Sequence, residues 1–124
     1  MLTPKFAHFD KKGVFIMAID KSLISGSTSM LILRLLEDKD MYGYEMIETL
    51  EKKSNNVFTL KAGTLYPLLH SLDEKYYLTA YEDEVNGKVR KYYSITKSGK
   101  KYLKSKKEEW NTYQTAVLNV LCMS

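Results

Sequence analysis

The chain has 124 residues, 44% of them hydrophobic, which suits one globular domain and argues against general disorder. Lys and Arg number 19 against 15 Asp and Glu, and the resulting formal charge of +4 admits nucleic acid or an anionic surface as partner without establishing either. The single cysteine, Cys122, excludes a disulfide framework within one chain and a cysteine-built zinc site, and it fits a reducing cytoplasm.

Residues 1–16 carry no clean periodicity and have two readings: an extension outside the domain proper, or an extra strand or helix packed on the body. The apolar run Val14–Ile19 is followed at once by Asp20 and Lys21. It is too short for a signal peptide, and no run approaches the roughly 20 residues of a membrane span, so no membrane partner is expected. The chain divides into this extension, a body over 17–97 and a terminal helix over 98–121.

From Ile19 or Ser22 to about Asp38 the pattern is helical and apolar on most faces, with Arg34 the charge inside it, as in a helix buried on several sides. "DKDMYGYEMIETLEKKS" follows. Met46, Ile47 and Leu50 share one face and Glu45, Glu48, Glu51 and Lys52 the other, which predicts an amphipathic helix capped by Asp40. "SNN" at 54–56 reads as a break.

A third helix is predicted over 61–76. Leu65, Leu68, Leu69, Leu72 and Tyr76 form one stripe, and the opposite face gathers Gly63, Thr64, Pro67, His70, Ser71 and Glu74. Pro67 is tolerated there if Thr64 caps the helix, because the first-turn N–H groups lack partners anyway, and would bend the helix if it begins earlier, at Ala62; the Thr64 cap or an irregular first turn is the expectation. After Tyr77 the period changes to two. "LTAYEDEV" and "VRKYYSIT", with Asn86-Gly87 between them, predict a tight hairpin spanning 78–96.

The last element is a helix over 98–121, roughly 36 Å long at about 1.5 Å per residue. Leu103, Trp110 and Val117 are spaced by seven, as are Lys106, Tyr113 and Val120, so the pattern is a seam in need of a partner surface. Leu103, Trp110, Tyr113, Val117, Val120 and Leu121 are therefore expected at a homodimer interface. Trp110 is also a candidate to stack a flat aromatic ligand.

Three helices followed by a hairpin is the order of a winged helix-turn-helix, so the fold class expected is mainly α with a small β-hairpin. The third helix would be the DNA reader. Its outward front is small, with Lys61, Gly63, Thr64, Pro67 and His70 as candidate contacts. Lys88, Arg90 and Lys91 on the hairpin are candidate phosphate contacts, with Arg90 expected to face opposite to Lys91. The lysines between 97 and 107 read as a solvated helix face, except Lys97, which lies near the wing. Catalysis has little to stand on: His8 and His70 lie in different segments, and no phosphate loop, metal-ligand spacing or nucleophile elbow is present, so neither an enzyme nor a cofactor is expected.

The stretches "STSMLILRLLEDKDMYGYEMIETLEKKS", "LKAGTLYPLLHSLDEKYYL" and "GKVRKYYSITKSGKKYL" together resemble the PadR family of transcriptional regulators, over about residues 18–121. The resemblance implies a winged helix-turn-helix that binds double-stranded DNA and a single C-terminal helix that mediates dimerisation, as in the short-tailed subfamily. It also implies a repressor that leaves a palindromic operator when a small planar or phenolic effector binds, with Trp110 at the stacking position. Two departures stand out: the family often has Gly where Tyr77 stands, so the end of the third helix is expected to differ, and the N-terminal extension has no counterpart. The rival readings are a winged-helix protein-interaction module without specific DNA binding, and a small-molecule sensor that has lost its DNA role.

Overall fold

The structure is a computed structural model, and it describes residues 7–9, 15–17 and 27–123. Of the N-terminal segment it describes two short strands, β1 (Ala7–Phe9) and β2 (Phe15–Met17), paired antiparallel with each other, Ala7 opposite Met17. The second strand crosses the expected boundary between residues 16 and 17. The rest of that extension and the predicted helix start at Ile19 or Ser22 lie outside the described residues.

The body begins with α1 (Thr28–Asp38). Ile32, Leu33 and Leu36 are buried, while Arg34 points outward and pairs with Glu37 and Asp38 at 3.6 and 2.9 Å. Met41–Tyr42 form a short strand, β3, and α2 (Gly43–Lys53) follows. The expectation that Asp40 caps α2 is not met. The residue before α2 is Tyr42, because Met41 and Tyr42 are drawn into register with Tyr93 and Tyr92 of the hairpin. α2 buries Met46 and Leu50 and ends where Asn55 and Asn56 turn the chain at φ 51° and 67°. Asparagine tolerates this left-handed region better than most residues.

The helix α3 (Ala62–Glu74) buries Leu65, Leu69 and Leu72, as its leucine stripe requires. Its start follows the Ala62 reading rather than the favoured Thr64 cap. The carbonyl of Lys61 accepts from the N–H groups of both Thr64 and Leu65 at 3.0 Å, so the helix begins at Ala62 and Thr64 is inside it rather than capping it. Pro67 then lies beyond the first turn and has no N–H to offer the carbonyl of Gly63.

The end of α3 also corrects the expectation. The N–H of Tyr77 reaches back to the carbonyl of Leu72 (3.0 Å) and that of Tyr76 to Asp73 (2.9 Å), a Schellman ending. The left-handed residue is Tyr76, with φ 62°, not Tyr77. Tyr76 thereby leaves the leucine stripe and is 78% exposed.

The hairpin is as predicted: β4 (Leu78–Val85) and β5 (Lys88–Ile95) pair antiparallel, Val85 opposite Lys88. Asn86 and Gly87 both have positive φ, 54° and 78°, which a two-residue turn with the right twist requires. With β3 the sheet order is β3-β5-β4.

The helix α4 (Lys97–Leu121) is capped by Thr96, whose Oγ1 accepts from the N–H of Gly99 at 3.0 Å. Its first part packs on α1, and Lys107 Nζ reaches Glu37 at 3.3 Å. Leu103, expected at a dimer seam, is instead 0% exposed in the core of its own chain. The seven-residue repeat is real, but near the start of α4 that face is already covered by the body. The result is a winged helix-turn-helix with one long terminal helix. No helix among the described residues is long and apolar enough to cross a membrane.

Candidate nucleic-acid interface

The outward face of α3 is built by subtraction. Leu65, Leu69 and Leu72 tie the helix to the core, which leaves Gly63, Thr64, Tyr66, Pro67 and His70 exposed away from it, with Lys61 exposed just before the helix. A Cβ at Gly63 would meet nothing within 4 Å, so the backbone of the second helical residue is open to approach. His70 Nε2 lies 3.0 Å from Glu74 Oε1, one turn on, with both side chains largely exposed. The structure thus brings four predicted residues, Gly63, Thr64, Pro67 and His70, onto one face of α3, and leaves Lys61 exposed on the extended residue just before it.

The hairpin divides the other three. Lys88 sits at the tip, beside the Asn86-Gly87 turn. Lys91 Nζ lies over the ring of Tyr93, 5.7 Å from its centroid, on the face that turns toward the core. Arg90 is on the opposite face, where its guanidinium stacks on Tyr42 at 4.3 Å. The expected alternation of Arg90 and Lys91 is what the register produces. The outgoing strand tempers the basic charge, since Glu82 and Asp83 stand opposite Lys91 and Arg90. At the tip Lys88 faces Val85 instead, so positive charge is least compensated there. Among the described residues Lys61, Lys88 and Lys91 form no ion pair.

Around Arg90 lies an aromatic group that the sequence reading did not single out. Tyr81 and Tyr92 stack at 5.8 Å, and Tyr42 meets Tyr92 edge-on at 5.6 Å. Alternation along β4 and β5 contained the signal, but their pairing with β3 was not foreseen. The Tyr81 hydroxyl donates to Asp40 Oδ2 at 2.6 Å, and this hydrogen bond to a carboxylate pushes the Tyr81 pKa up to about 12. Tyr93 is also raised, chiefly by burial and then by the charges of Tyr66 and Asp73.

The seam residues divide as well. Trp110, Tyr113, Val120 and Leu121 are exposed on the second half of α4, and Val117 is half-buried. Trp110 and Tyr113 have ring centroids 6.1 Å apart, tilted by 35°. Lys106 folds back instead, donating to Glu109 at 3.2 Å with its ammonium over the Tyr102 ring. Together the apolar residues from Trp110 onward make a face that no element among the described residues covers.

The family model described as the transcriptional regulator PadR-like family matches residues 32–105. A protein of Lysinibacillus sphaericus is 40% identical over 93 residues, covering 74% of this chain and 85% of that protein. Among solved structures, a transcriptional regulator from Clostridium thermocellum superposes with a TM-score of 0.77 at 34% identity, covering 86% of this chain and 100% of that one. A PadR family transcriptional regulator from Eggerthella lenta superposes with a TM-score of 0.74 at 29% identity, covering 84% and 89%.

Proposed function

The chain belongs to the PadR-like family of transcriptional regulators, and from that premise we propose that it is a homodimeric, ligand-responsive repressor that binds a palindromic operator in the cytoplasm. The observation that carries the reading is the small, open front of α3, preceded by the exposed Lys61, on the same domain as a hairpin tipped by the exposed Lys88. A helix with so little bulk at its front can enter a major groove closely, and cations beside it hold the flanking phosphates. Gly63, Thr64, Pro67 and His70 would face base edges, and Lys61, Lys88 and Lys91 the backbone. Arg90 would contribute from the outer face of the wing.

Two copies would pair through Trp110, Tyr113, Val117, Val120 and Leu121 and present their α3 helices about one DNA turn apart, roughly 34 Å. A planar or phenolic effector held at Trp110 would alter that pairing and release the operator. Footprinting on the protein's own upstream region tests the reading. Two protected half-sites, lost on adding the effector, are expected. No protection, or protection that any duplex of the same length competes away equally, rejects it.

A further inference from the structure

The contact between α2 and α3 contains a feature that the DNA-binding reading leaves unused. Gly43, the first residue of α2, is buried and its φ lies outside the left-handed region, so its backbone does not call for glycine. Space does. A Cβ there would lie 2.8 Å from Cζ and 3.2 Å from Cε1 of Tyr66, closer still to the phenolic oxygen. Real Cβ atoms do not make such contacts. The Tyr66 ring therefore lies against bare backbone at the start of α2.

Tyr66 itself is 48% exposed, between the buried Leu65 and the exposed Pro67. Among the described residues its hydroxyl makes no hydrogen bond. A half-exposed ring with open solvent on one side has room for other rotamers. What holds it in this one is the shelf that Gly43 leaves empty.

Resting on the DNA-binding reading above, we propose that the Tyr66 hydroxyl contacts a DNA phosphate and that Gly43 is the residue that positions it. In a helix-turn-helix the first helix crosses the phosphate backbone while the second enters the groove. Tyr66 is on the second helix, yet its ring rests on the start of the first. That places its hydroxyl toward the strand backbone rather than toward base edges. Tyrosine hydroxyls are among the groups that hold phosphates without reading sequence. The contact is neutral, so it releases no counterion of its own.

Gly43→Ala, Tyr66→Phe and the double variant, compared with wild type, test this by titration against two probes, a duplex from the protein's own upstream region and a random duplex of equal length. Tyr66→Phe should weaken binding to both by roughly tenfold, the size of one lost hydrogen bond to a charged group. Its salt slope should stay that of wild type, whereas Lys88→Ala should lower the slope by about 1. Gly43→Ala should reproduce the loss by displacing the ring, and the double variant should be no worse than either single one. Wild-type affinity in Tyr66→Phe, or a double variant with additive losses, would overturn the inference and leave the DNA-binding reading standing. A wild type that binds neither probe at low salt would overturn both.

Discussion

The backbone carbonyl of Tyr77 lies directly against the Cα of Gly99. A Cβ at Gly99 would come within 2.9 Å of the Tyr77 carbonyl carbon and 2.8 Å of Ile95 Cγ1. Around this contact the N–H of Thr96 donates to the Tyr77 carbonyl at 3.1 Å, and the hydroxyls of Thr96 and Ser98 donate to that of Tyr76 at 2.6 and 2.8 Å. The rings of Tyr77 and Tyr102 stack at 4.2 Å. The end of α3 and the start of α4 are thus one joint. Gly99→Ala drives a methyl group into backbone that has nowhere to move. It should cost about 3 kcal/mol, read as a lower denaturant midpoint with an unchanged slope.

Tyr76→Gly should act in the opposite sense. Tyr76 holds a left-handed conformation in which a non-glycine residue is strained by about 1 kcal/mol. Its side chain is 78% exposed, so little packing is lost with it. The variant should be more stable by roughly 0.5–1 kcal/mol in urea unfolding.

Gly63→Ala separates stability from recognition. The added methyl meets nothing within 4 Å in the free protein, and alanine in a helix is favoured over glycine by about 0.5–1 kcal/mol. The variant should therefore unfold at higher urea. If the backbone at Gly63 closes on the groove, it should also bind DNA several-fold more weakly. Higher stability with undiminished DNA affinity would remove Gly63 from the interface.

Leu103 and the residues beyond Trp110 should respond differently to substitution. Leu103→Ala opens a cavity in the core and should cost about 2–5 kcal/mol. Val120→Lys with Leu121→Lys places charge on the uncovered face of α4. If two copies pair through that face as proposed, this variant should sediment as a monomer where the wild type sediments as a dimer, with helical circular dichroism kept.

Tyr81 offers a test in alkali. Its folded pKa of about 12, set mainly by the hydrogen bond to Asp40, lies above the ordinary value of 10.0. The proton is held more tightly in the folded state. The stabilisation from this pair is fully present below pH 10 and is lost as pH rises through about 12. Ultraviolet titration should show a late-ionising tyrosine that Tyr81→Phe removes and Asp40→Ala shifts earlier.

Much of this architecture is written locally in the chain. The hairpin is legible because alternation and an Asn-Gly turn act over a few residues. The buried side of α3 follows from leucines that no other spacing would align. What was not legible depends mostly on partners distant in sequence, the start of α3 being the local exception. The start of α3 is set by the Lys61 carbonyl, not by the most plausible capping side chain. Leu103 and Trp110 share one heptad position, and only the packing of α1 distinguishes the core residue from the exposed one. On the candidate interface, the exposed front of α3 could be read from a helical wheel. The resting place of Tyr66 on Gly43, and of Arg90 on Tyr42, could not, since each requires two elements to meet.

DNA recognition through α3 and the wing is tested most directly by fluorescence anisotropy of a labelled duplex from the protein's own upstream region, titrated at several salt concentrations. The affinity should exceed that for a random duplex and fall linearly on a log–log plot. Lys61→Ala and Lys88→Ala should each reduce the slope by about 1. No binding at low salt, or equal affinity for every duplex with slopes unchanged in both variants, would contradict recognition by this face.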